Sequence, residues 1–336
     1  MIKASYAIPY HLQNKLFDVN DKSVNRDNGA YCFVLLKQVM RDNGIDLSTY
    51  DINPIESSEI IIYHDMPKIL PKDYEITKSY LILFESEIIK SDNWDLSKHR
   101  HFKKIFTWND TFVDNKKYFK INFSHLIPDS ISMGMAKEKK LCTLIAGNKK
   151  VSHPKELYSK RVEAIRWFEK YHPDDFDLYG MGWRECIFQN KHLNYLFRKL
   201  KLSSLFKANF PSYKGSVTSK KDVLQQYKFA ICYENARDIS GYITEKIFDC
   251  FFAGCIPVYW GANNIAQHIP HDCFIDRRNF SDTEAVYRFI KGVTEEEIVG
   301  YQKRISEFLQ SEAACQFSAE YFAETIVNTI VEDLGY

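Results

Sequence analysis

Four segments of nearly continuous apolar character mark the first part of the chain: IKASYAI from Ile2, SEIIIYH from Ser58, SYLILFE from Ser79 and KKIFTW from Lys103. Between the first two lies GAYCFVLLKQVMRDNG, whose apolar residues recur at helical spacing up to a terminating Gly44. A stretch rich in charge and small residues, Pro128 to Lys140, breaks this alternation, and it then starts afresh. The second half predicts a strand over Leu141–Ala146, a helix from about Pro154 to Tyr171, a strand at DFDLYG and an irregular basic insertion. A helix around SKKDVLQQY follows, then the strand KFAICYE, the helix EKIFDCFFA and the strand IPVYWG. Strands alternating with helices predict mostly parallel sheets covered on both faces, which bind ligands beyond the carboxyl ends of their strands. The pattern predicts Rossmann-like α/β domains over residues 1–136 and 137–310, and a C-terminal helical segment, 311–336, packing back on the first.

Composition narrows the class. With 336 residues, 45% hydrophobic and 15% aromatic, the chain suits two domains of ordinary size. A net charge of +1 supplies no field to recruit nucleic acid or anionic membrane, so no nucleic-acid partner is expected. No apolar run reaches the roughly 18 residues that cross a bilayer, and MIKASYAIPYHLQNK lacks a signal-peptide core, so the reading is cytoplasmic. Eight cysteines without CxxC spacing read as reduced core thiols. The absence of GxxxxGK[ST] and of GxGxxG removes the two commonest phosphate-binding fingerprints and keeps a two-Rossmann glycosyltransferase architecture as a candidate.

The chemistry concentrates in CYENARDISGYITEKIFDCFFAGCIPVYWG, Cys232 to Gly261. Glu234 and Asn235 stand at the carboxyl end of a strand, and a helix begins near Thr244, on the ligand-facing rim. A helix's first turn favours an anion, so Lys246 there is electrostatically misplaced unless a negative ligand such as phosphate offsets it. Glu245 beside it suits a sugar diol, since a carboxylate accepts two hydroxyl hydrogen bonds. The plain alternative is a dipole-favoured glutamate and a lysine reaching solvent.

FAICYENARDISGYITEKIFDCFFAGCIPVYWGA resembles the signature of the α-1,3/4-fucosyltransferases of the bacterial and animal Lewis-antigen type: F-x-x-x-x-E-N, then Y-x-T-E-K, then P-V-x-x-G. The resemblance implies the GT-B architecture, two Rossmann-like domains facing each other across a cleft, with GDP-fucose as donor and inversion at the anomeric carbon. It implies that Lys246 touches the diphosphate, Glu245 a sugar diol, and Asn235 and Tyr242 the fucose or nearby phosphate. Glu234 shapes the loop, and Thr244 completes the donor-binding set. A second cation is expected on the first helix of this half, where Arg161 falls in the apolar stripe Leu157, Ile165, Phe168. An inward arginine needs an anionic partner, which a ligand or a structural carboxylate supplies.

An inverting transfer needs one general base. The family keeps it at a strand end reading E-S-P in the N-terminal domain, and YLILFESEII places Glu85 there, with Glu87 in place of the proline as a rival. The two point the same way only if the strand runs through both. The metal reading of HPDDFD (Asp174, Asp175, Asp177) is set aside, because Arg161 and Lys246 already supply the charge a metal brings to a diphosphate. No divalent metal or other cofactor is expected. The HRH triplet, His99 to His101, reads as an exposed loop with metal binding as the alternative. The basic insertion 184–210, with Leu193, Leu196, Phe197 and Leu200 at helical spacing, reads as a helix packed on its own domain; contact with a membrane surface or an acceptor glycolipid is the alternative. The expected partners are thus GDP-fucose and an oligosaccharide or glycolipid acceptor, a lactosamine-like glycan reacting at O3 of N-acetylglucosamine. The rivals are a relative using another nucleotide sugar or acceptor, and a non-catalytic binding protein.

Overall fold

A computed structural model of the chain describes residues 1–134, 139–185, 199 and 208–335. The described residues divide into two compact units: Met1–Pro128 with Ser240–Glu245 and Gln310–Tyr336, and Asp129–Ile239 with Lys246–Leu309. Each is a Rossmann-like α/β unit built on a parallel sheet.

The first unit's sheet has the order β2-β1-β3-β4-β5-β6. Its strands are β1 (Ile2–Ala7), β2 (Ile45–Thr49), β3 (Ile60–His64), β4 (Ser79–Leu83), β5 (Lys104–Thr107) and β6 (Tyr118–Lys120). The near-continuous apolar runs follow from burial on both faces. Ile62, Tyr80 and Ile82 pack with α1 (Tyr31–Asp42) and with the C-terminal helix Ala319–Leu334, while Ile61, Tyr63 and Leu81 form a separate cluster with Phe102 and Ile105. Each fully buried isoleucine contributes roughly 1.5–3 kcal/mol. Asp333 anchors the end of the C-terminal helix, accepting from Tyr80 Oη (3.0 Å) and pairing with Lys104 (2.9 Å).

The second unit's sheet runs β12-β11-β10-β7-β8-β9. Its strands are β7 (Lys140–Ile145), β8 (Phe176–Tyr179), β9 (Tyr213–Gly215), β10 (Tyr227–Tyr233), β11 (Ile256–Trp260) and β12 (Ile275–Asp276). The helices that matter for the site are α2 (Tyr158–Tyr171) and α3 (Glu245–Phe252). Residues ahead of β7 already belong to this unit: Gly134 N–H donates to Gln302 (2.9 Å), and the Ser132 carbonyl sits where a Cβ on Gly254 would be, 2.1 Å away.

One boundary and one strand differ from the sequence reading for identifiable reasons. Helix α2 starts at Tyr158, not near Pro154, because the residues before it pair with the chain after β10. Glu156 bridges Ala236, and the Arg237 N–H donates to the Lys155 carbonyl (2.9 Å). Strand β2 gave no sequence signal, being a short polar-alternating run directly after Gly44, whose φ of 75° ends the helix. The spacing at Leu193, Leu196, Phe197 and Leu200 lies outside the described residues.

Candidate functional site

In the second unit the E-N motif lies just past the carboxyl end of β10, with α2 against it. Arg161 is 4% exposed; its Nε (3.2 Å) and Nη2 (2.6 Å) donate to the Tyr233 carbonyl, and Nη2 also donates to Asn235 Oδ1 (3.0 Å). The guanidinium also lies 5.0 Å from the Tyr158 ring centroid. Asn235 is held through its carbonyl as well, which accepts from Leu157 N–H at 3.1 Å. The inward-facing arginine expected from the apolar stripe is present, and these contacts join it to a strand end and an amide.

Glu234 is fully buried; its N–H donates to the Trp260 carbonyl (2.8 Å), and Lys246 Nζ lies 3.1 Å from its Oε2. This corrects the electrostatic argument for Lys246. The lysine in the first turn of α3 is offset by a carboxylate of the chain itself, so its position does not by itself demand an anionic ligand. The glycine of P-V-x-x-G has a steric reason: a Cβ on Gly261 would lie 2.3 Å from Tyr259 Oη and 2.5 Å from Glu234 Cγ.

The middle of the motif, Ser240–Glu245, belongs to the first unit. Gly241 has φ 78°, and a Cβ there would meet the Trp108 carbonyl at 2.2 Å and the Asp110 carboxylate at 2.8 Å. Tyr242 is 2% exposed and packs on Trp108, with centroids 4.7 Å apart, and on Phe123 at 6.1 Å. Thr244 is buried and Glu245 half-buried. The family motif is therefore divided: Glu234, Asn235 and Lys246 fall in one unit and Tyr242, Thr244 and Glu245 in the other, where the sequence reading assigned all six to the donor half.

Glu85 lies two residues beyond β4, which ends at Leu83, so no strand runs through Glu85 and Glu87 to aim them alike. Its backbone is fixed at both ends. Asp65 Oδ1 accepts from the N–H groups of Phe84 (2.7 Å) and Glu85 (3.2 Å), and the Glu85 carbonyl accepts from Asn93 Nδ2 and Trp94 Nε1, both at 3.0 Å. Asn93 Nδ2 also donates to Asp65 Oδ1 (2.7 Å). Asp65 has φ 61°, a conformation the short polar side chain of Asp tolerates. Sequence reasoning missed Asp65, Asn93 and Trp94. A signal for the first was present, because SEIIIYHD ends in an acid after an apolar run, as YLILFE does.

His99 corrects the exposed-loop reading of HRH. It is 2% exposed, with Nε2 2.8 Å from the Asn93 carbonyl and Nδ1 3.0 Å from Tyr118 Oη, so it supports the segment that carries Asn93. In HPDDFD, Asp175 bonds Lys291 and Tyr287, both at 2.8 Å, while Asp177 bonds Lys140 (2.8 Å) and Tyr227 (2.6 Å). Asp177 thus ties interior strands of the sheet together, and Asp175 ties the turn before β8 to the helix Thr283–Gly292. The seven described cysteines are free thiols, six of them buried. No helix among the described residues is long and apolar enough to cross a membrane.

His64, at the end of β3, shares a 2.9 Å hydrogen bond with Tyr6 Oη through Nδ1 and stacks on Phe84 at 4.7 Å. Burial pushes its imidazole down to about 4, against the opposing pull of Asp65. With an unfolded value of about 6.5, the unfolded chain binds this proton more tightly, so stability is complete above about pH 6.5 and is lost as pH falls toward 4, by at most about 3 kcal/mol. The urea midpoint of the native chain is accordingly expected to drop more steeply between pH 7 and pH 4.5 than that of His64→Gln. Parallel curves would show that His64 does not fold in its neutral form.

Two Rossmann-like units, with a charged cluster beyond the central strand of one of them, give the chain the GT-B fold. The chain belongs to glycosyltransferase family 10, the fucosyltransferases: the family's C-terminal domain matches residues 135–306, just over half of the chain. It is 37% identical over 76 residues to the α-(1,3)-fucosyltransferase FucT of Helicobacter pylori, covering 23% of this chain and 16% of that one. It is 31% identical over 68 residues to an α-(1,4)-fucosyltransferase of Arabidopsis thaliana, covering 20% and 17%. These matches span a fifth or less of the relatives' length. Among solved structures, an α1,3-fucosyltransferase with GDP-fucose superposes with a TM-score of 0.53 at 13% identity, covering 98% of this chain and 90% of that one. Anabaena HepE with UDP and glucose superposes with a TM-score of 0.54 at 10% identity, covering 99% and 100%. Both are likenesses of fold.

Proposed function

We propose that this chain is an inverting fucosyltransferase that moves L-fucose from GDP-β-L-fucose to O3 of N-acetylglucosamine in a lactosamine-like acceptor. The observation that carries the reading is the convergence of Arg161, Asn235, Glu234 and Lys246 on the carboxyl end of β10, in a chain of this family. In the proposed reaction the acceptor oxygen attacks the anomeric carbon as the bond from that carbon to the β-phosphate oxygen breaks. The electron pair leaves with GDP, the acceptor proton passes to the Glu85 carboxylate, and the β-linked donor gives an α-linked product. Arg161 and Lys246 stabilise the charge that develops on the diphosphate. Glu245 and Tyr242 are proposed to meet the fucose, Thr244 to set the start of α3, and Glu234 to hold Lys246 in place. Reduced thiols fit a cytoplasmic setting.

A glycan screen with GDP-fucose, followed by linkage analysis of the product, tests this. An α1,3-fucosylated lactosamine is expected. Turnover only with another nucleotide sugar would transfer the site to a different donor, and donor binding with no turnover on any glycan would make the chain a binding protein. Transfer is also expected to persist in excess chelator, since two cations do the work of a metal. Complete loss on chelation, restored by one divalent ion, would overturn that assignment.

A further inference from the structure

In the first unit the order β2-β1-β3 makes β1 the strand at which the sheet changes direction, and in open parallel sheets ligands settle beyond the strand ends at such a point. The chain leaving β1 there is IPYHLQN, Ile8 to Asn14. His11, Gln13 and Asn14 take φ of 55°, 57° and 58°, three left-handed residues in four without a glycine among them. Such backbone persists only where its surroundings impose it. Gln13 N–H donates to Asp51 (2.9 Å), Asn14 N–H donates to Thr49 Oγ1 (3.0 Å), and Asn14 Oδ1 accepts from Thr49 N–H (2.8 Å). The loop is thus tied to the end of β2 and the segment after it, and Tyr10 on it is 49% exposed.

Tyr10 is not a stray surface aromatic. Its ring meets His11 edge-on at 5.0 Å and His64 at 6.1 Å, which places it over the end of β3. His64 in turn stacks on Phe84 at 4.7 Å, the residue directly before Glu85, and burial foremost, with the charges of Asp65 and Glu85 after it, pushes the Tyr10 phenol up to about 12. A half-exposed ring therefore stands at the end of β3, against the His64 that stacks on the residue preceding the proposed base. A pyranose suits that arrangement. One of its faces is a patch of C–H groups that packs on the negative face of an aromatic ring, while its hydroxyls turn toward carboxylates that accept hydrogen bonds. The carboxylates of Asp65 and Glu85 make the same spot unfavourable for an anion.

We propose that the loop Ile8–Asn14 is the acceptor-sugar subsite, with Tyr10 as the platform on which the pyranose carrying the reacting hydroxyl stacks. This rests on the reading of Glu85 as the base. A platform fixed before the sugar arrives spares the ordering cost of binding, so its loss falls on acceptor affinity.

The test is an NMR titration of the full chain with N-acetyllactosamine, which needs no turnover, alongside a parallel titration with GDP-fucose. Tyr10→Ala and the apolar but ringless Tyr10→Leu are expected to weaken N-acetyllactosamine about five- to tenfold, with GDP-fucose affinity unchanged. The ring-retaining Tyr10→Trp is expected to fall between native and Tyr10→Leu. In steady state the loss should appear in the acceptor KM and not in kcat. Unaltered sugar affinity in both ringless variants, no sugar binding by the native chain, or weakened GDP-fucose binding in their place would each overturn the subsite. Failure of the functional reading looks different: Tyr10-dependent sugar binding with no fucosyl transfer, or Glu85→Gln fully active.

Discussion

Lys246→Ala is expected to lower fucosyl transfer at least about a hundredfold, the loss typical of removing one preorganised group that stabilises developing charge. It is also expected to destabilise the fold, because Lys246 Nζ lies 3.1 Å from the fully buried carboxylate of Glu234. Breaking a buried pair from one side costs about 3–5 kcal/mol, so loss of activity in the single variant has two possible causes. The double variant Glu234→Gln/Lys246→Met separates them. It removes both charges, and replacing both partners of a buried pair is far milder than removing one. The urea midpoint should return most of the way to native while transfer stays low, since nothing then neutralises the departing diphosphate beside Arg161. If the double variant regained transfer along with stability, Lys246 would be a structural partner of Glu234, and leaving-group stabilisation would rest on Arg161 and the start of α3.

That ambiguity shows where the sequence could be read and where it could not. Parallel sheets buried on both faces write themselves as apolar runs, so β1, β3, β4, β5, β7, β8, β10 and β11 were legible. Strands of two or three residues at sheet edges, β6, β9 and β12, carry too few positions to show a period. Arg161 was legible because a charge inside an apolar stripe contradicts its neighbours. Its partners were not, since the Tyr233 carbonyl and the Asn235 amide lie more than 70 residues further along the chain. Lys246 misled for the same reason: the helix dipole is a local property, whereas the compensating Glu234 is brought in by the turn of the chain between β10 and α3. The allocation of Tyr242 to the first unit could not be read at all. It depends on Gly241 approaching Trp108 and Asp110 at distances no Cβ allows, a contact between segments more than 130 residues apart in sequence.

Glu85→Gln is expected to reduce transfer at least about a hundredfold, the lower range for a positioned base, with GDP-fucose affinity nearly unchanged. The substitution leaves the backbone contacts of this residue in place: Asp65 receives its N–H, and Asn93 and Trp94 donate to its carbonyl. Glutamine keeps the side chain's size and loses its basicity, so a fall in rate reports proton transfer and not misplacement. Donor affinity is expected to hold because Arg161, Asn235 and Lys246 belong to the other unit. Tyr242, Thr244 and Glu245 share the unit of Glu85, so a variant that disturbed the fold of that unit would weaken donor binding as well, and constant affinity is the control against it. Glu87→Gln should lose far less, since β4 stops at Leu83 and no continued strand aims Glu87 along with Glu85. Glu87→Gln inactive with Glu85→Gln active would exchange the two roles and leave the donor site standing. Full activity in both would move the base to another acid of the first unit. Asp65 is the first to try, because it follows β3 as Glu85 follows β4, and its conversion to asparagine keeps an acceptor for the Phe84 and Glu85 N–H groups while removing the charge.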